Sequence, residues 1–336
     1  MRPRAVILGC AGERLTADER DFLRQADPAG FILFARNCVD PAQVTALVAD
    51  LRAAVDRPNA PVLIDQEGGR VARLRPPHWR AAPPAGAFWA LADRDPEAAA
   101  EAAFLNARLL ADELHPLGIT VNCLPVLDLP QDDADPIIGD RAAGRTPAMA
   151  ARLGRAVCDG LLAGGVLPVV KHVPGHGRAL VDSHRALPVV DAPSADLEAW
   201  DLAPFRDLAD MPLAMTAHVV YRAWDPARPA TTSRDVIDLI IRGHLGFDGL
   251  LLSDDLSMKA LDGDLKDRTA ACLSAGCDIA LHCNGDRAEM DAVVAGAGRL
   301  SDAALMRLDR ALARLAPPRE LDRDAALARL SALLEA

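Results

Sequence analysis

"TPAMAARLGRAVCDGLLAGGVLPVVKHVPGHG", residues 146–177, contains one complete structural unit. A proline follows the opening threonine, as the first turn of a helix prefers. An Ala/Leu-rich helical stretch then runs to the glycine pair at 164–165, and the apolar run "VLPVV" follows. That run breaks into "KHVPGHG", where ionisable residues, proline and glycine take over. A near-continuous apolar run, as opposed to strict alternation, marks a strand buried on both faces of a parallel sheet.

The unit recurs along the chain. Its apolar runs are "AVILG" (5–9), "GFILFARN" (30–37), "PVLIDQEGG" (61–69), "ITVNCLPVLDL" (119–129), "VLPVVKHVPGHG" (166–177), "PLAMTAHVV" (212–220), "GLLLSDDLSM" (249–258) and "CDIALHCNG" (277–285). Helical stretches lie between them at 41–55, 95–118, 146–165 and 267–277. Eight strands alternating with helices predict an α/β fold, a TIM-like (β/α)8 barrel. The alternative is a doubly wound open sheet, but no GxGxxG opens a helix after the first run. The Ala/Leu/Arg-rich tail from about 286 reads as closing helices. No low-complexity linker divides the chain, so one barrel domain over 1–336 is expected.

Composition narrows the function. Half the residues are hydrophobic (51%), enough for a large core. With 37 Lys+Arg against 48 Asp+Glu the net charge is −11, and there is no long basic run. Nucleic-acid binding by phosphate neutralisation is therefore not expected. The seven cysteines are odd in number and form no CxxC pair, so a disulfide framework or zinc knuckle is not expected, and a reducing cytoplasm is. The opening "MRPRAVILGC" has an apolar core shorter than an export signal needs. No run approaches the roughly 20 residues of a membrane span. Lysine occurs only at 171, 259 and 266, which makes Lys171 inside a motif conspicuous. Aromatics are 4%, with one tyrosine, which disfavours a long aromatic-lined polysaccharide groove.

In barrels of this kind chemistry sits on the loops that follow the strands. The strand ends here carry Asp65-Gln66-Glu67, Asn122, Asp128, Lys171-His172, His218, Ser253-Asp254-Asp255 and His282-Cys283-Asn284. Apolar strands that repeatedly finish in ionisable residues point to a polar site, because burying such groups without partners is costly. Solvated strand-to-loop residues account for some of these positions, not easily for all.

"GFILFARN", "IDQEGGRVARL", "IGDRAAGRTP", "KHVPGHGRALVDSH" and "LLSDDLSM" together resemble, in order, the motifs of family 3 glycoside hydrolases. The likeness is closest to the bacterial β-N-acetylglucosaminidases that recycle peptidoglycan in the cytoplasm, and it runs from about residue 8 to 285. The resemblance implies an exo-acting, retaining β-N-acetylglucosaminidase with Asp254 as nucleophile and His184, beside Asp182, as acid/base. It implies that Asp65, Arg73, Arg141, Lys171 and His172 bind sugar, with no cofactor and no metal. The implied substrate is the N-acetylglucosaminyl unit of peptidoglycan-derived muropeptides. The expected partner is thus a small carbohydrate, with no nucleic acid and no membrane, and the chain is expected to act as a monomer. Two places depart from the family pattern. Val173 stands where phenylalanine is usual, and "RALV" (178–181) differs in the loop before Asp182.

Residue chemistry fits these assignments. Neighbouring side chains on a strand point to opposite sides, so only one of Asp254 and Asp255 can face the barrel mouth. Retaining hydrolysis needs a carboxylate at an oxocarbenium-like centre. The second aspartate, Asp255, is expected to cap the next helix or to support its neighbour. An imidazole ordinarily titrates near pH 6.5, which suits proton donation followed by proton removal. A carboxylate in Asp182's position would orient the ring, and a loop bearing Gly175 and Gly177 could move the pair. Asp65 can accept from two hydroxyls and arginine forks donate rigidly. His218 and Asn122 are expected to line the pocket without an assigned role, and Met258 to be core.

Other readings are weaker. His172 and His176 would chelate zinc on a helix, but Pro174 and two glycines oppose a helix there. A Schiff base on Lys171 and a phosphate cradle at "PGHG" lack supporting motifs. The remaining rivals are another family 3 β-glycosidase, such as a β-glucosidase, and a non-catalytic sugar-binding barrel.

Overall fold

The computed structural model describes residues 2–335. Its strands are β1 (Arg4–Leu8), β2 (Pro28–Leu33), β3 (Val62–Ile64), β4 (Val121–Asn122), β5 (Leu167–Val173), β6 (Val189–Val190), β7 (Leu213–Thr216), β8 (Val220–Tyr221), β9 (Leu250–Asp255) and β10 (Ile279–His282). Eight of them close a parallel barrel in the order β1-β2-β3-β4-β5-β7-β9-β10, with β10 pairing back onto β1. Each of the eight apolar runs supplies one barrel strand, so the open-sheet alternative falls. The short parallel ladder of β6 and β8 lies outside the barrel and was not expected.

Packing explains why the runs are continuous. Along β1, β2 and β9 one set of alternate residues (Ile7, Ile32, Leu250, Leu252) fills the barrel interior. The other set (Val6, Leu8, Phe31, Leu33, Leu251) packs against the helices. Both faces of each strand are dry, so neither register position tolerates polarity until the strand ends. β4 is only two residues long, although its apolar run spans eleven. Pro125 has no N–H to extend the ladder, and the chain continues alongside β5 through the Leu127 N–H to the Lys171 carbonyl (2.8 Å).

The Asp-Pro and Thr-Pro signals are helix starts. Asp40, Asp95 and Thr146 each accept a backbone N–H of the first turn, with proline at the next position, for the helices Pro41–Ala54, Pro96–Leu114 and Pro147–Ala163. The fourth expected helix is Leu265–Ala275, capped by Asp264. Ala17–Ala26, capped by Thr16, lacked a recognised signal. The tail forms Arg287–Gly296, Asp302–Leu312 and Arg323–Glu335. The last of these buries Leu330 and Leu333 in the outer core, and its Arg323 pairs with Asp112 (2.6 Å) and the buried Glu113 (3.0 Å). Among the described residues no helix is long and apolar enough to cross a membrane.

The loop after β5 lies hard against the loop after β4. A Cβ on Gly177 would stand 1.9 Å from the Leu129 carbonyl oxygen and 2.3 Å from its carbon, both backbone atoms. Gly177→Ala should therefore cost about 1–3 kcal/mol, the range for overpacking, and lower the thermal unfolding midpoint. An unchanged midpoint would mean that the two loops are not in this contact.

Candidate active site

The loops at the carboxyl ends of the strands enclose a cavity of about 180 Å³. Asp65, Arg73, Arg141, Lys171, His172, His184 and Asp254 all line it. Seven of the eight expected site residues, drawn from five different loops and strands, thus meet in one place. The eighth, Asp182, stands behind His184 and bonds it. No phenylalanine, tyrosine or tryptophan lines the cavity.

The floor is a chain of alternating charges. Lys171 Nζ lies 3.0 Å from Asp65 Oδ1 and 2.8 Å from Glu67 Oε1. Arg73 binds the other oxygen of Asp65 at 3.0 Å. Arg141 grips both oxygens of Glu67 at 2.9 Å, a bidentate pair. Burial would raise the pKa of Asp65, but Lys171 and Arg73 hold it well below the usual carboxylate range. Burial acts the same way on Glu67, and Lys171 and Arg141 outweigh it. Burial favours neutral Lys171, yet Asp65 and Glu67 keep it a firmly held cation. A permanently protonated amine is no Schiff-base nucleophile. Arg141 lines the cavity, with Nε and Nη2 on Glu67 and Nη1 3.3 Å from the Ile137 carbonyl.

Local sequence builds this floor. In "DQEGGRV" Gly68 (φ 101°) and Gly69 (φ 55°) turn the chain where a side chain would be strained, and a Cβ on Gly68 would strike the Pro83 carbonyl at 2.2 Å. The buried Gln66 side chain accepts from the N–H groups of Arg73 (2.8 Å) and Leu74 (3.0 Å) and donates to the Leu74 carbonyl (2.9 Å). Asn122 exchanges two bonds with the Gln66 backbone (3.0 and 2.9 Å). It tethers the ends of β3 and β4 and, contrary to expectation, does not line the cavity.

Asp254 forms one wall at the end of β9. Its Oδ1 accepts the Asp255 N–H (2.8 Å), and its Oδ2 stands 3.9 Å from His172 Nε2. Burial would raise its pKa, but His172, His218 and the Asp255 N–H lower it on balance. The Asp255 carboxylate points elsewhere, accepting from Ser257 Oγ (2.6 Å) and from the N–H groups of Ser257 (3.1 Å) and Cys283 (3.2 Å). It pins the turn after β9 and caps no helix. His218 also misses the cavity. It is fully buried and reaches Thr231 Oγ1 (2.7 Å) and the Asp255 carbonyl (3.0 Å), so it braces the backbone that carries Asp254.

The opposite wall is the loop 174–188. Asp182 Oδ1 accepts the His184 N–H (2.9 Å) and lies 2.7 Å from its Nδ1. Burial works against the Asp182 carboxylate, and the His184 N–H and ring hold its pKa below the ordinary value. With Nδ1–H donated to this carboxylate, Nε2 is the nitrogen free to carry a transferable proton. Several bonds tie the loop down. Gly175, Gly177, Ala179 and Ser183 accept at their carbonyls from Tyr221 Oη (2.7 Å) and the N–H groups of Gln131 (3.1 Å), Asp135 (2.9 Å) and Ala260 (3.1 Å). Arg178 Nε reaches Asp201 at 2.6 Å. Leu180 and Val181, in the unusual "RALV" segment, stay exposed at 59% and 39%.

Sequence reasoning missed several participants. Met258, expected in the core, lines the cavity and receives the Ser183 hydroxyl at 3.7 Å. Arg70 lines the mouth, held by Asp140 (3.2 Å) and the Ile137 carbonyl (2.6 Å). Glu67 and Asp128 stood among the polar strand ends without a role. His172 and His176 do not lie on a helix, and the described residues hold no group of three or more His, Cys, Asp or Glu side chains arranged for a metal.

A small cavity at the carboxyl end of a (β/α)8 barrel, lined by Asp65, Asp254, Lys171, Arg73 and three histidines among apolar side chains, suits a small polyhydroxylated ligand. The family model for the glycosyl hydrolase family 3 N-terminal domain matches residues 4–316. The chain belongs to that family and is a glycoside hydrolase. It is 41% identical to a "Beta-hexosaminidase" of Bordetella avium over 286 residues, 84% of this chain and 81% of that one. It is 40% identical to a "Beta-hexosaminidase" of Xylella fastidiosa over 305 residues, 90% of this chain and 89% of that one. NagZ from Neisseria gonorrhoeae, solved with N-trifluoroacetyl-D-glucosamine, superposes with a TM-score of 0.89 at 33% identity, covering 100% and 99% of the two chains.

The depressed carboxylates set the acid stability. For Asp65, Glu67 and Asp254 the folded pKa lies below the unfolded value near 4. Their stabilisation is therefore complete above that value and lost as pH falls through the folded pKa. Denaturant unfolding should show these three carboxylates' share of the stability falling away below about pH 4. Lys171→Met should move that loss to higher pH, because Asp65 and Glu67 lose their shared cation. Stability that rises on acidification below pH 4 would contradict the assigned charges.

Proposed function

We propose that the chain is an exo-acting, retaining β-N-acetylglucosaminidase that removes terminal N-acetylglucosamine from peptidoglycan-derived muropeptides through a covalent glycosyl-enzyme. One observation carries the reading: Asp254 and His184 face one small cavity whose floor is built from fixed hydrogen-bonding charges. Asp254, ionised throughout the neutral range, attacks the anomeric carbon as nucleophile. The bond to the leaving oxygen breaks, and that oxygen takes the proton from His184 Nε2. The ring then removes a proton from water, the water oxygen attacks the anomeric carbon, and Asp254 is released. Asp182 orients the ring and stabilises its charged form.

Asp65, Arg73, Lys171 and His172 bind the sugar hydroxyls, with Arg141 holding the floor through Glu67. The small aromatic-free cavity fits one terminal sugar, which favours exo action. Preference for the 2-acetamido sugar rests on the relatives named Beta-hexosaminidase and on the N-acylglucosamine held by the gonococcal neighbour. The seven cysteines, all free thiols, fit a cytoplasmic setting. The whole chain would act as one catalytic barrel, as a monomer.

Chromogenic N-acetylglucosaminide should be hydrolysed far faster than the matching glucoside. Faster glucoside turnover would favour the β-glucosidase alternative. Asp254→Asn should lose several orders of magnitude in kcat on every substrate while its thermal midpoint stays near that of the wild type. His184→Ala should fall about 10²–10⁴-fold on the natural disaccharide, the usual worth of general acid–base catalysis, and much less on a substrate with a good leaving group. Two variants with normal rates on the disaccharide would overturn the assignment.

A further inference from the structure

Asp128 is a fully buried carboxylate that neither wall of the cavity displays, and it makes three bonds. Its Oδ2 lies 2.7 Å from His172 Nδ1. Its Oδ1 accepts the backbone N–H groups of His172 (3.1 Å) and His176 (2.7 Å). The first bond reaches the sugar side of the site. An ionised carboxylate only accepts, so Nδ1 must carry a proton, and the tautomer of His172 is set. Nε2 then faces the cavity, 3.9 Å from Asp254 Oδ2. The last bond reaches the acid/base side. His176 opens the loop, and its own Nε2 stands 3.3 Å from Ser183 Oγ, one residue before His184.

We infer that Asp128 is a positioning residue that sets both halves of the site from one point: the His172 ring beside the nucleophile, and the root of the loop that carries His184. Burial opposes its charge, but His172 and the His176 N–H hold the carboxyl ionised, consistent with that role. The inference deepens the reading above and rests on Asp254 and His184 acting as proposed. Nothing Asp128 does involves touching the sugar.

Asp128→Asn separates the two tasks. Its amide oxygen still accepts from both backbone N–H groups, so the loop root survives. Its NH2 group replaces Oδ2 and donates to the ring, which forces the proton onto Nε2. We expect kcat to fall about 10- to 100-fold, the scale of lost orienting partners, with the thermal midpoint nearly kept. In a His172→Ala background the same change should cost almost nothing further, because the ring it acts through is gone. Asp128→Ala also removes the acceptor for the His176 N–H. Its extra loss over Asn should fall on the poor leaving-group substrate, which needs His184. Full additivity of Asp128→Asn with His172→Ala, or a wild-type kcat for Asp128→Asn, overturns the inference.

A measurement on the unmodified enzyme covers the case in which the variants do not fold. Nitrogen-15 NMR of labelled histidine, with the His172 ring assigned through its own backbone resonances, should show Nδ1 protonated throughout the neutral range. A bare Nδ1 with the proton on Nε2 overturns the inference. The roles of Asp254 and His184 are tested by their own variants, so failure there is read separately from failure here.

Discussion

The ion pair of Glu67 with Lys171 and Arg141 is the constraint on which the site depends. Three ionised groups sit at the top of a barrel whose interior is otherwise aliphatic, and each alone would be expensive to desolvate. Together they are compensated: one carboxylate takes a bidentate guanidinium and an ammonium, and the ammonium takes a second carboxylate, Asp65. The result is a floor whose donors and acceptors are fixed before any ligand arrives. Little reorganisation is then needed on binding, which is the main advantage of building a sugar socket from buried charge. Glu67 is the residue that allows both cations to remain there.

The division of labour follows from what each wall is made of. Asp254 stands on a strand, with His218 bonded to the carbonyl of the next residue, Asp255, and the Asp255 N–H bonded to its carboxylate. Strand-borne groups are placed rigidly by the ladders on either side. His184 stands on a loop, 56% of its side chain is exposed, and its geometry comes from Asp182 and the bonds at the loop's root. Asp128 lies between the two, and its three bonds give the rigid wall and the loop a common reference.

Much of this was legible in the sequence, for a physical reason. A parallel barrel demands strands apolar on both faces, so "AVILG", "GLLLS" and their counterparts stood out, and the ionisable residues ending them marked the chemical face. Asp65, Lys171, His172 and Asp254 were readable because they break apolar runs. Asp182 and His184 have no such contrast around them, and only the ordered motif resemblance singled them out. What the sequence hid were groups whose meaning is a contact. Glu67 lies in the same tripeptide as Asp65, and nothing local says that it serves Arg141, 74 residues away in the chain. Asn122 and His218 were misplaced because a polar strand end can turn inward to tether backbone as readily as outward to line a cavity. Met258 looked like core because methionine usually is, and Asp255 looked like a helix cap because aspartate often is, whereas the next helix starts ten residues later behind its own cap, Asp264.

The central claim is that Asp254 bonds covalently to the sugar. A slow fluorinated N-acetylglucosaminide analogue with a good leaving group, incubated with the enzyme and followed by intact mass and peptide mapping, tests it directly. The account predicts a glycosyl adduct on the peptide containing Asp254, formed as activity is lost and released as it returns. An adduct on another residue, or turnover of the analogue with no adduct at any time, would contradict it.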